Sequence, residues 1–79
     1  DAVQAALESA PLVERVIHLR TLHVGPDALL VGAKIAISKT DSAEDIARGI
    51  DEAERLLRIA VPSAQYVFLE PDIDKGKRP

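Results

Sequence analysis

The sequence predicts a small α+β domain of order α-β-β-α-β, with two helices on one face of a three-stranded mixed sheet. Three observations support this prediction: a tight turn at Gly25-Pro26-Asp27 between two strand-like segments, a long amphipathic helical pattern after residue 41, and a short β-prone segment near the end. A hairpin followed by a right-handed crossover makes the third strand parallel to the second. Both helices then lie on the same face, and the other face has no cover within the chain.

The first helix is predicted over Ala2 to Ala10, because Pro11 follows its last residue and the residue before a proline disfavours helix. Its apolar residues recur at helical spacing: Val3, Ala6, Leu7 and Ala10. The first strand is predicted from about Val13 to Val24. Apolar residues occur at both odd and even positions there, so neither face of this strand is wholly polar.

The second strand has the clearest pattern in the chain, an alternation between two faces that is typical of a strand. One face carries Leu29, Val31, Ala33, Ile35 and Ile37. The other carries Leu30, Gly32, Lys34, Ala36 and Ser38.

The second helix is predicted from Ser42 to Val61, with Asp41 as its N-cap. Glu44 lies three positions after Asp41, which makes the pattern close to a capping box. Its apolar face is expected to contain Ala43, Ile46, Ala47, Ile50, Ala53, Leu57 and Ala60. Glycine inside a helix makes it about 1 kcal/mol less stable than alanine would. We expect Gly49 to offset this by allowing close packing, because it has no side chain. Pro62 ends the helix.

The last strand is predicted over Ala64 to Leu69 and a polar tail follows, so the domain core is about residues 12–72 and the tail 73–79. This strand is apolar on both sides, with Val67 and Leu69 on one and Tyr66 and Phe68 on the other. An apolar sheet face is usually covered. A second copy of the chain is the simplest cover, which predicts a homodimer.

Composition excludes several classes of function. The 79 residues carry a net charge of −3 and no cysteine, so disulfides and thiolate metal sites are absent and the core must be aliphatic. No basic stripe with stacking aromatics is present, which argues against nucleic-acid binding. No catalytic motif is present, and we expect no enzymatic activity. The chain begins at Asp1 and has no Met, so we expect it to be a piece of a longer protein.

Two histidines and the acidic segment after Leu69 are the candidate metal ligands. His18 and His23 lie five positions apart on one strand, so they point to opposite faces and cannot share one ion if the strand is regular. One of them could join carboxylates such as Glu70, Asp72 or Asp74 in a site shared across a dimer. The alternatives are surface or interface histidines and a solvated acidic tail.

Several segments together resemble the cytosolic C-terminal domain of cation diffusion facilitator (cation efflux) transporters. They are Ile17-His18-Leu19-Arg20-Thr21, Gly25-Pro26, the alternating second strand, the long helix, and the closing Val67 to Asp72. The resemblance covers about Leu12 to Asp72. It implies a ferredoxin-like, metallochaperone-like domain on the cytoplasmic face of the cell membrane, attached to its own transmembrane domain. Such domains form homodimers through their sheet side, often bind Zn²⁺ or related ions near the interface, and regulate the transporter.

The chain departs from the usual ligand pattern of that family. Ile17, Ala33 and Leu69 stand where the family often has histidine. Only His18 remains at a ligand position, so we expect weak binding of Zn²⁺ or another divalent cation, or none, at a site of His18 with Glu70 and Asp72. The main alternative is a free-standing ferredoxin-like domain that senses a small molecule or a metal.

Overall fold

The computed structural model describes residues 1–37 and 42–73, with the side chain of Ile73 left out. Five elements follow one another in this part of the chain: α1 (Ala2–Glu8), β1 (Val13–Gly25), β2 (Ala28–Ile37), α2 (Ala43–Ala60) and β3 (Ala64–Ile73). The tail beyond Ile73, including the basic run Lys75 to Arg78, lies outside the described residues. Neither described helix is both long and apolar enough to cross a membrane.

The predicted topology is confirmed. The sheet has the order β1-β2-β3, with β1 and β2 antiparallel and β2 and β3 parallel. The β2 residues of the predicted apolar face are all buried, as expected for the face that the helices cover.

The core between helices and sheet is aliphatic, as the composition requires. Its largest fully buried side chains are Leu7, Val31, Ile35, Ile37 and Leu57. Full burial of each contributes about 1.5–3 kcal/mol to folding. No described polar or charged residue is buried, so the described core holds no polar binding site.

The first strand is less regular than predicted. Its register with β2 shifts between Val13 and Arg15 and between Val16 and His18, which leaves Glu14 and Ile17 as extra residues in bulges. Each bulge reverses the parity of the strand, so Val16 and Leu19 both lie on the helix side. Bulges also interrupt pairing along an exposed edge strand, which discourages uncontrolled association there.

The second helix begins one residue later than predicted, and its N-cap is Ser42 rather than Asp41, which lies outside the described residues. The Ser42 hydroxyl accepts a hydrogen bond of 3.2 Å from the backbone N–H of Asp45. The hydroxyl thus satisfies a free N–H at the helix start, which is the role predicted for Asp41.

The buried face of α2 is narrower than predicted and is rotated towards Leu12. It consists of Gly49, Ala53 and Leu57, whereas Ala43, Ala47 and Ala60 of the predicted face are exposed. A Cβ atom at residue 49 would lie 2.7 Å from the Cδ1 atom of Leu12. Gly49 therefore allows the close approach that the sequence suggested.

The last strand is longer than predicted. It continues through Pro71 to Ile73, so Glu70 and Asp72 belong to the sheet and not to a solvated tail. Proline is compatible with this position because β3 is an edge strand and one row of its N–H groups needs no partner. The first helix, in contrast, is shorter than predicted and ends at Glu8.

Candidate functional site: the open face of the sheet

The sheet face opposite the helices is the main candidate site, and we call it the open face. Residues paired across neighbouring strands share a face. The register therefore orders the open face into four rows running from β1 through β2 to β3. These rows are Leu22–Leu30–Tyr66, Arg20–Gly32–Phe68, His18–Lys34–Glu70 and Arg15–Ala36–Asp72.

One end of the open face is apolar. Leu22 is 61% exposed, Phe68 62% and Tyr66 49%. These are three of the five large hydrophobic residues that are exposed in the described part of the chain. They cluster on one face next to Leu30, and exposed apolar clusters of this kind are typical of interaction surfaces.

Charge changes sign across the rest of the open face. The β1 side carries Arg15, His18 and Arg20, and the β3 side carries Glu70 and Asp72. Lys34 lies on the central strand between them. The face is therefore basic along one edge and acidic along the other.

A depression lies in the middle of this face. Its floor includes Gly32, where an added Cβ atom would meet nothing within 4 Å. Its lining on the open face includes Arg20, Lys34, Phe68 and Glu70, and it extends round the β3 edge to Ile50 of α2. The sequence did not indicate this feature, because it depends on the register between strands.

The candidate ligands His18, Glu70 and Asp72 all lie on the open face, but one copy does not bring them together. Lys34 separates His18 from Glu70, and two strand spacings put their Cα atoms about 10 Å apart. A central ammonium group also repels a cation. Among the described residues, no group of three or more His, Asp or Glu side chains is placed to hold a metal ion.

The two histidines diverge as predicted. His18 pairs with Lys34 on the open face, and His23 pairs with Leu29, whose side chain is on the helix side. No register shift falls between the two histidines, so the strand is regular over this interval. They cannot bind one ion within a single copy.

The outer surface of α2 carries charged side chains that pair with one another along the helix. Arg55 donates hydrogen bonds of 3.0 and 2.7 Å to the Glu52 carboxylate. This hydrogen bonding lowers the pKa of Glu52 and raises the pKa of Arg55. Arg48 lies 3.2 Å from Glu44 in a similar exposed ion pair. Exposed pairs of this kind contribute little to stability, so this surface is a solvated helix face.

Comparison with known proteins supports the fold. No protein-family model and no curated protein matches the chain. Solved structures of MamM-CTD do match: a single-substitution variant has a TM-score of 0.83 and 19% identity, covering 91% of this chain and 89% of that one. A copper form and a nickel form of other variants have the same TM-score at 18% identity, covering 91% of this chain and 89% and 90% of theirs. At this identity the likeness establishes the shared α-β-β-α-β fold.

Proposed function

We propose that this chain is the cytosolic homodimerisation and regulatory domain of a divalent metal cation efflux transporter. One observation carries the proposal: the open face has an exposed apolar end on a fold shared with MamM-CTD. The MamM domains are C-terminal domains of a cation diffusion facilitator transporter, and the motifs around His18 and Gly25 resemble that family. The domain acts by association with a second copy and with its own transmembrane domain, and it has no catalytic role.

Burial of the apolar end gives dimerisation a physical basis. A domain of this size buries only about 60–65% of its unfolded surface, so its own core supplies limited stability. Covering an exposed aromatic side chain contributes about 1.5–3 kcal/mol. Covering Tyr66 and Phe68 by a second copy therefore adds stability that the monomer lacks.

Sedimentation equilibrium of the full chain tests the dimer, with two matched variants. Phe68 on the open face and Ile59 on α2 are almost equally exposed, at 62% and 64%. Phe68→Lys is expected to weaken dimerisation by more than about tenfold, which corresponds to about 1.4 kcal/mol. Ile59→Lys is expected to leave dimerisation unchanged. Thermal unfolding of both variants checks that each remains folded.

A monomer at high concentration, or a dimer that responds to Ile59→Lys and not to Phe68→Lys, contradicts this part of the proposal. The transporter assignment has a separate test in the reading frame upstream of Asp1. Several hydrophobic spans there support it, and a soluble catalytic domain contradicts it. A start codon immediately upstream favours the second candidate, a free-standing ferredoxin-like sensor, for which the depression around Gly32 is the ligand site.

A further inference from the structure

The outer edge of β3 is less interrupted than the outer edge of β1. Exposed edge strands invite pairing with another chain, and proteins usually protect them with bulges, charges or proline. The first strand shifts its register with β2 at three places. The third strand pairs with β2 without a shift from Tyr66 to Ile73, and it has no charged residue from Tyr66 to Leu69. The stretch between the register shift before Tyr66 and the proline at Pro71 is therefore a regular, open edge.

Pro71 indicates which backbone groups of this edge face outward. Proline has no N–H, and in an edge strand it takes a position where the nitrogen faces away from the neighbouring strand. Successive residues of a strand direct their N–H and C=O groups alternately to its two sides. Val67 and Leu69 therefore share the outward row with Pro71. Within residues 1–37 and 42–73, no strand pairs with this side of β3, so the N–H and C=O groups of Val67 and Leu69 are presented to a further strand.

Space for a further strand continues round this edge. The depression on the open face extends past β3 to α2, where Ile50 and Glu54 line it. A strand added to β3 would lie about 4.8 Å outside it, in this space. Its side chains on the helix side would lie next to Val67 and Leu69, which are half-buried, and would contact the half-buried Ile50. The groove between β3 and α2 therefore favours apolar residues at these positions of the added strand.

Cross-strand pairing specifies the side chains that the added strand presents on the open face. Residues opposite Tyr66 and Phe68 would lie beside exposed aromatic rings, which favours aromatic or β-branched side chains. The residue opposite Glu70 would lie beside a carboxylate whose register partner on β2 is Lys34. A basic residue at that position continues the alternation of charge across the sheet. The edge is therefore complementary to an extended segment with apolar residues towards the groove and one basic residue on the open face.

We propose that the edge of β3 from Tyr66 to Glu70 binds an extended segment of another protein, which adds to the sheet as an antiparallel fourth strand. Val67 and Leu69 exchange backbone hydrogen bonds with this segment, and Glu70 pairs with its basic residue. Antiparallel addition is favoured because antiparallel pairs are slightly more stable per residue than parallel pairs. The added strand lies in the plane of the sheet and not on the open face, so the inference does not depend on the homodimerisation proposed above.

Calorimetric titration of the full chain with a short peptide tests the proposal. The probe is acetyl-Thr-Lys-Val-Tyr-Val-Thr-amide. In the antiparallel pairing, its lysine lies opposite Glu70 and its two valines lie opposite Leu69 and Val67. Its tyrosine then lies beside Phe68 on the open face. Saturable binding with a Kd below about 1 mM is expected, and its absence overturns the inference.

Two N-methylated forms of the probe test whether binding uses the backbone. Methylation of both valine nitrogens removes the N–H groups that face β3. It is expected to weaken binding by at least about tenfold, because each lost hydrogen bond lowers the binding constant by about two- to tenfold. Methylation of the tyrosine and second threonine nitrogens, which face away from β3, is expected to leave the affinity unchanged. An equal loss of affinity in the two methylated peptides, or a larger loss in the second, overturns the inference.

A charge exchange tests the register of the added strand. Glu70→Lys is expected to weaken binding of the probe, and Glu14→Lys, an equal change of charge at an exposed position of β1, is expected to leave it unchanged. A peptide with glutamate in place of the lysine is expected to bind Glu70→Lys more tightly than it binds the unmodified chain. Binding of both peptides that is insensitive to Glu70→Lys contradicts the proposed pairing.

Sedimentation equilibrium separates strand addition from homodimerisation. The unmodified chain is measured without the probe and with a saturating concentration of it. A monomer without the probe contradicts homodimerisation and leaves strand addition supported by the titrations. If the chain is a dimer and the probe dissociates it, the β3 edge belongs to the contact between copies, and the inference fails while homodimerisation stands.

Discussion

Replacing Gly49 by alanine tests the close approach of α2 to Leu12. Two effects oppose each other. Alanine is about 1 kcal/mol more favourable than glycine inside a helix. Its Cβ atom, however, would lie 2.7 Å from the Cδ1 atom and 3.1 Å from the Cβ atom of Leu12. The Cδ1 atom can rotate away, but the Cβ atom moves only with the backbone. Overpacking of this kind costs about 1–3 kcal/mol.

The steric effect is expected to exceed the helix preference, giving a net loss of about 1 kcal/mol in the free energy of unfolding. In a domain of this size, that loss corresponds to a fall of about 4–8 °C in Tm. Urea unfolding at one protein concentration measures it, since dimerisation makes stability concentration-dependent. Ala47→Gly, at an exposed position of the same helix, calibrates the helix preference without a steric change.

The decisive measurement is a double-mutant cycle with Leu12→Gly. That substitution removes every side-chain atom of Leu12, including the Cβ atom, so Gly49→Ala is expected to become neutral or stabilising in its presence. The coupling between the two positions should be about 1 kcal/mol or more, in the range seen for residues in contact. If Gly49→Ala stabilises the unmodified protein by as much as Ala47→Gly destabilises it, Leu12 does not constrain the helix and the reasoning is wrong.

Two further predictions concern charge and metal. The hydrogen bonds from Arg55 lower the pKa of Glu52 from its ordinary value of 4.5. They therefore favour the folded state above pH 4.5. This contribution to stability is lost as the pH falls through the lowered pKa. Glu52→Gln should therefore narrow the stability difference between pH 7 and pH 3 in urea unfolding only slightly, because the pair is exposed, and a wider difference contradicts the assignment. Calorimetric titration of the metal-free chain with Zn²⁺ is expected to show weak or no binding, whereas a micromolar or tighter site that His18→Ala abolishes contradicts that expectation.

The order of elements and the helix side of the sheet could be predicted because each depends on local patterns. The alternation from Leu29 to Ile37 and the amphipathic helix before Pro62 have periods that distinguish strand from helix. The bulges at Glu14 and Ile17 could not be predicted. Both faces of β1 carry apolar residues, so a bulge does not change the pattern of apolar and polar residues along the strand. The extension of β3 through Pro71 was missed because its residues are polar, and their pairing with β2 determines their structure.

The candidate site was only partly predictable for a related reason. Side-chain parity placed His18 and His23 on opposite faces, and the structure confirms it. The position of Lys34 between His18 and Glu70 follows from the register of three strands. Register depends on packing of the whole sheet and not on any one segment. The sequence therefore identified the candidate ligands without showing what separates them.

The separation of His18 from Glu70 links metal binding to assembly. Within one copy, Lys34 lies between the two side chains, and no described group of ligands is complete. We therefore expect any zinc site of His18 with Glu70 or Asp72 to take its carboxylates from the second copy of the proposed homodimer. Any zinc that His18 binds with these carboxylates would therefore favour the dimer and bind more tightly to it. Its apparent affinity should fall when the chain is diluted below its dimer dissociation constant, and should fall similarly in Phe68→Lys. Zinc binding that requires His18 but does not depend on protein concentration would show that the ligands come from one copy.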